Sequence, residues 1–221
     1  MSELRGHGTH NCRHRRRLKF ARQMALARDH DAVRSSASCI EQSTWVGINL
    51  GCGRLAQSDW INCDTRDLRG VDLRCDVVGG LAFVSDCADY IAAIHVLQDL
   101  SYAQIVPALR EVRRVLKPGG VLRLAVPDID RAISAYARRD AAYFYVPDEH
   151  ARSIGAKLVT QIIWYGSVRT PCNFEFLSET LSIAGYRDIE RCAFGVTRSR
   201  FPALAGLDNR ERETLFIEAR K

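Results

Sequence analysis

The sequence contains no apolar run near the roughly 18–20 residues that a membrane-spanning helix needs, so no membrane span is expected. Its first residues carry no apolar core of the secretory type, and the expected location is therefore cytoplasmic. Cysteine occurs eight times but never as a Cys-x-x-Cys pair. Tetrahedral zinc draws its ligands from such close pairs, so no metal site is expected and the cysteines read as reduced, buried, small apolar residues. Histidines at 7, 10, 14 and 30 have no spacing that marks a metal site either. Internal repeats and extended low-complexity tracts are missing. With 47% hydrophobic and 26% charged residues, the composition excludes a fibrous or wholly disordered chain.

What is present is a chain of 221 residues, long enough for one domain with a substantial core and an appendage. Its formal charge of +6 is uneven. Residues 1–43 hold nine basic side chains, Arg15-Arg16-Arg17 among them, against four acidic ones, while the remainder is nearly neutral. That segment reads as a basic, flexible extension, and 44–221 as the active domain. Its charge allows phosphate contacts, so nucleic acid is a conceivable partner. Arg17 to Ala27 has the composition of a short basic amphipathic helix, and Ser35-Ser36-Ala37-Ser38 reads as a linker.

Beyond the linker, short apolar runs alternate with turns. Trp45–Leu50, Trp60–Asp64, Val71–Asp76, Tyr90–Ile94 and Val121–Val126 read as strands, the fourth apolar enough to be covered on both faces. Ser101 is a plausible N-cap for a helix whose Ile105, Leu109, Val112 and Leu116 recur at helical steps, with Lys117-Pro118-Gly119-Gly120 as its breaker. Residues 128–139, 151–165 and 176–184 read as helices, Ile189–Phe194 and Leu215–Ala219 as late strands. Strands joined by helices or short crossovers argue for an α/β layered sandwich on a mostly parallel sheet.

Asn49-Leu50-Gly51-Cys52-Gly53 lies where the first strand hands over to a turn, and glycines there let backbone approach a ligand without a Cβ in the way. The run extends to Ala56 and so matches the dinucleotide pattern Gly-x-Gly-x-x-Ala. A nicotinamide site, however, expects its ribose-binding acid about 20 residues later. Here Asp64 follows Gly53 by only 11 residues, and Asp76 ends the next strand. Taken separately, both acids read as strand-end turn residues; the motifs that follow favour a role in binding.

Ile48–Gly53, Asp89-Tyr90-Ile91, Leu116–Gly120 and the late Leu215–Lys221 strand, in that order, resemble the class I S-adenosylmethionine-dependent methyltransferases. Asp59–Asp64, His95-Val96-Leu97, Val126-Pro127-Asp128 and Ser199–Asp208 resemble more narrowly a small bacterial branch associated with polysaccharide and secondary-metabolite pathways. The resemblance implies a Rossmann-like three-layer sandwich of seven strands, the last one antiparallel beside the fifth. It implies S-adenosyl-L-methionine as cofactor, with Asn49, Gly51, Cys52 and Gly53 near its methionine part, Asp64 on the ribose, Asp76 and Val77 at the adenine, and His95 facing the sulfonium. The chain departs from the branch in reading Gln98-Asp99 where Glu-His is usual, and Asn173-Phe174-Glu175 where a histidine is common.

The implied reaction is an in-line displacement onto oxygen or nitrogen of a small-molecule or saccharide acceptor. His95 is the first candidate base, because histidine titrates near neutrality, with His150 second and Asp99 weaker. An RNA acceptor is the alternative, although the Asn/Asp-Pro-Pro-aromatic signature of amino-directed base methylation is replaced by Ile94-His95-Val96-Leu97. A noncatalytic binding or regulatory role on the same fold is a further alternative. The sequence does not fix an oligomeric state.

Overall fold

A computed structural model describes residues 45–221. The basic extension, its helix and linker, Cys12, Cys39 and the four N-terminal histidines lie outside the described residues. Seven strands form one sheet in the order β3-β2-β1-β4-β5-β7-β6. They are β1 (Gly47–Leu50), β2 (Ile61–Asp64), β3 (Leu73–Arg74), β4 (Ala88–Ile94), β5 (Leu116–Pro127), β6 (Arg187–Cys192) and β7 (Thr214–Arg220). β1 to β5 pair in parallel, and β7 runs antiparallel to both β5 and β6. The reversed strand is thus the last in sequence and lies beside the fifth, as the resemblance implies.

Among the described residues, four α-helices lie between the strands: α1 (Tyr102–Val115), α2 (Ile129–Ala137), α3 (Ile154–Ile163) and α4 (Phe174–Ile183). Ser101 caps α1, its backbone N–H donating to Gln104 Oε1 at 2.9 Å. Ile105, Leu109 and Val112 of α1, with Leu177 and Leu181 of α4, pack against Ile48, Ile91, Leu122 and Ile217 on one sheet face. Strand alternation sends Tyr90, Ala92 and Val121 to the other face, where Trp60, Phe201, Leu204 and Leu207 cover them. Among the described residues, that second cover comes from the 3₁₀ turn Pro202–Leu207 instead of a long helix.

Several boundaries differ from the sequence reading: β3 shrinks to Leu73–Arg74, so Asp76 lies beyond it and does not end the strand, and two further differences have a clear cause. β5 begins at Leu116, directly after α1, because Leu116 pairs with Ala88 before the register jumps to Val121 opposite Tyr90. Lys117–Gly120 bulge out between these pairs, with Gly119 at φ +73°. β6 ends at Cys192, short of Phe194, which lies 41% exposed with its ring 5.8 Å from that of Phe216.

The parallel arrangement brings the carboxyl ends of β1, β2, β4 and β5 to one edge. The reversal of β7 adds Thr214, paired with Pro127, to that same edge.

Candidate functional site

The loop leaving β1 is shaped by contacts that leave its backbone little freedom. Asn49, buried, donates from Nδ2 to Asn62 Oδ1 at 3.2 Å and to the Leu55 carbonyl at 3.4 Å. Asn62 in turn holds both backbone polar groups of Gln57. No helix forms between β1 and β2; the paired asparagines pin a run of turns. Gly51 has φ +66°, and a Cβ there would come within 2.3 Å of Val96 Cγ2, so only glycine fits. Gly53 is also left-handed, at φ +54°.

Asp64 ends β2 and is 5% exposed. Its Oδ2 accepts the Gly53 N–H at 2.8 Å; its Oδ1 accepts the Arg66 N–H at 2.9 Å and Arg66 Nε at 3.1 Å. Burial alone would raise its pKa, but the Arg66 side chain and the two backbone donors outweigh burial and hold the carboxyl below its ordinary range. A carboxylate offers about four acceptor positions, of which three are used. The Arg66 side chain is 67% exposed, so its departure would free a second position.

The other expected cofactor residues are less committed. Cys52 is buried, and burial together with the nearby Asp64 and Asp72 charges pushes its thiol up to about 11, which keeps it protonated and unreactive. Asp76 is exposed and accepts the Val78 N–H at 2.9 Å, a turn contact. The Val77 side chain packs into the core beside Leu97 and Leu109, leaving backbone at that position.

His95 follows β4 in a left-handed conformation, φ +56°, unusual outside glycine. Its N–H donates to the Ala125 carbonyl at 2.8 Å, and Nε2 lies 3.5 Å from Thr214 Oγ1. Nδ1 is buried without a hydrogen-bond partner. Burial, then the Arg210 charge, pushes its pKa down to about 4 against an opposing contact with Asn209. The ring is therefore neutral at pH 7 but only weakly basic, which removes the near-neutral titration that singled it out. His150 lies apart, exposed, with Nδ1 2.8 Å from the Tyr165 hydroxyl. Asp99 is an exposed residue, yet partial burial of its carboxyl raises its pKa against a hydrogen bond from Gln98.

A narrow cleft, open to solvent on one side, lies where β5 passes into α2, beneath α3; the roughly 340 Å³ of empty space there includes open solvent, and its inner part has room for only about one small polar group. Gln98, Asp128, Tyr143 and Glu213 line it together with Ile162 and Val168. Sequence reading passed over Gln98 as a site residue and did not find Glu213 at all. Glu213 stands in an irregular loop and meets Asp128 only through the fold, where the Asp128 N–H donates to the Glu213 carbonyl at 2.8 Å.

Residues 46–124 match the family described as "Methyltransferase domain". Two solved structures share the fold. A SAM-dependent methyltransferase from Thermotoga maritima has a TM-score of 0.51 at 16% identity, covering 96% of each chain. A SAM-dependent methyltransferase from Archaeoglobus fulgidus has a TM-score of 0.50 at 12% identity, covering 97% of this chain and 95% of its own. No protein of curated function matches the sequence. With a methyltransferase domain matched over residues 46–124 and a sheet of this order, the chain has the fold of the S-adenosylmethionine-dependent methyltransferases.

Proposed function

We propose that the chain methylates an oxygen or nitrogen of a small-molecule acceptor, saccharides included. The cleft at the carboxyl ends of the strands carries this reading: it is narrow and walled by side chains, suiting a compact group more than a folded polymer. Bound S-adenosylmethionine supplies a methyl group on a positively charged sulfur, which leaves as a neutral thioether.

Two features of the loop fit that donor. Gly51 and Gly53 let backbone approach it, Cys52 lying between them, and Asp64 keeps one acceptor position free for a ribose hydroxyl, two once Arg66 swings away. Asp76 and the Val77 backbone border the adenine, and His95, neutral, sits at the strand end nearest the transferred group. Positioning of the partners is the main contribution asked of the protein, worth about 7–11 kcal/mol when alignment is good. His150 with Tyr165 belongs to the outer rim of the acceptor side.

A methyl-transfer screen with labelled S-adenosylmethionine across sugars, phenols, amines and RNA tests the reading. Label in at least one small molecule is expected. Label recovered solely in nuclease-sensitive material would overturn it in favour of RNA.

A further inference from the structure

Gln98 follows β4 in a 3₁₀ turn (Leu97–Asp99) and is 5% exposed. Its Nε2 donates to Asp99 Oδ1 at 3.2 Å, while its Oε1, buried, has no hydrogen-bond partner. Leaving such an acceptor unsatisfied costs about 1–3 kcal/mol, and only a donor can recover it. Gln98 lines the cleft.

Two carboxyl groups line the same cleft. Asp128 is 4% exposed and Glu213 8%. The nearest cations to each stand off: Arg131 Nε is 3.6 Å from Asp128, and Arg210 Nη1 is 3.8 Å from Glu213. Asp128 spends one oxygen on the Asp130 N–H at the start of α2, at 3.1 Å. Gln161 spends its Oε1 on the Tyr145 N–H, at 2.8 Å. None of the cleft's lining residues is basic, and most of the remaining wall is apolar.

We propose that this cleft selects an acceptor carrying an aliphatic amino group, held by Gln98 Oε1 and the Asp128 and Glu213 carboxylates. The proposal rests on the small-molecule reading above and narrows it to nitrogen. An ammonium group brings three N–H donors and one positive charge, matching three acceptors of which two are anionic. A sugar hydroxyl brings a single donor and no positive charge to add to the distant arginines. An acceptor bearing a carboxylate or phosphate in this cleft would face like charge. The inner part of the cleft has room for one small polar group, as an amine head requires.

The protons also balance. The ammonium gives one proton to a cleft carboxylate. The freed nitrogen pair forms the new N–C bond as the C–S bond breaks, its electron pair going to sulfur. The neutral nitrogen regains a positive charge as the N–C bond forms, sulfur becomes neutral, and the carboxyl later returns its proton to solvent.

The test pairs amines with their alcohol isosteres: benzylamine with benzyl alcohol, and 1-aminohexane with 1-hexanol. Calorimetry at pH 7 on the full chain with S-adenosylhomocysteine present measures binding, and labelled methyl transfer is followed in parallel. At least one amine is expected to bind about tenfold or more tightly than its alcohol, the size of a charge-assisted contact. Glu213→Gln and Asp128→Asn, the latter keeping the helix cap, should each remove most of that preference. Gln98→Leu should weaken the amine while leaving S-adenosylhomocysteine affinity within about twofold, since hydrogen-bond losses are local. Equal or tighter alcohol binding, no binding of any probe, or a preference untouched by all three substitutions would overturn the proposal. Methyl transfer to a hydroxyl but not to amines defeats this inference and leaves the small-molecule reading standing; transfer only to RNA defeats that reading itself.

Discussion

The end of β2 and the mouth of the cleft present buried carboxyl groups in opposite states. Asp64 is well supplied: three donors approach it and hold its pKa below the ordinary range, with one acceptor position left over. Asp128 and Glu213 are starved: burial raises both pKa values, and their neighbouring arginines stand beyond hydrogen-bond reach. A carboxylate so supplied shapes a loop and has room for a hydroxyl or two at most. A starved pair costs stability until a ligand brings the missing donors. The difference separates a group built to support backbone from groups kept in readiness.

The harshest way to break the contrast is Gly51→Ala. A left-handed residue with its Cβ 2.3 Å from Val96 must shift the loop that Asp64 supports. Overpacking of this kind costs about 1–3 kcal/mol, and calorimetry should show donor affinity lost by more than tenfold. Asp64→Ala comes next, with about tenfold or more weaker binding, from the loss of charged hydrogen bonds. Arg66→Ala sharpens the point: donor affinity should stay within about twofold or improve, because the exposed arginine competes for the carboxylate and surface pairs contribute little. A tenfold weakening would show that Arg66 holds the donor itself.

Thermal melts separate the two regions by sign. The pKa of Asp64 is depressed on folding, so its stabilisation is present above the unfolded-state value and disappears as pH falls through the folded one. Asp64→Asn should therefore lower Tm at pH 7. Asp128 and Glu213 have raised values, so the folded chain binds more protons and loses stability as pH climbs through the range above an ordinary carboxylate. Glu213→Gln should raise Tm at pH 7, by about 2–4 °C for each kcal/mol recovered, with the gain shrinking towards pH 4. The smallest effect concerns His95. Its pKa of about 4 predicts no titration of its ring signal between pH 6 and 7 by NMR, and stability that declines as pH drops from the unfolded value towards 4.

The sequence showed much of the first half plainly, because strands, glycine turn and α1 are written in local periodicity. Ile105, Leu109 and Val112 all point inward at the expected steps. The start of β5 was hidden, since a Pro-Gly-Gly run reads as a breaker and the pairing of Leu116 with Ala88 is a long-range event. β6 has no fully buried residue, so its limits depend on its single partner strand rather than on its own pattern. At the site, histidines drew notice through their ordinary titration range, which burial alters at position 95. Gln98 looked like a lost motif residue, and Glu213 gave no local signal. Their importance comes from which atoms the fold leaves unpaired.

Arg123 on β5 carries a further consequence. Fully buried, it grips Asp208 through two nitrogens, Glu218 of β7 at 2.8 Å, and the backbone carbonyls of Ala193 and Val196. Removing one partner from such a network costs about 3–5 kcal/mol. The segment that ends in Glu213 is thus moored at Asp208 to the middle of the sheet, and any remodelling of its tip pivots about that post. Someone wishing to retune which molecules enter can vary positions 209–213 as a short tethered arm, while the mooring keeps the architecture in place.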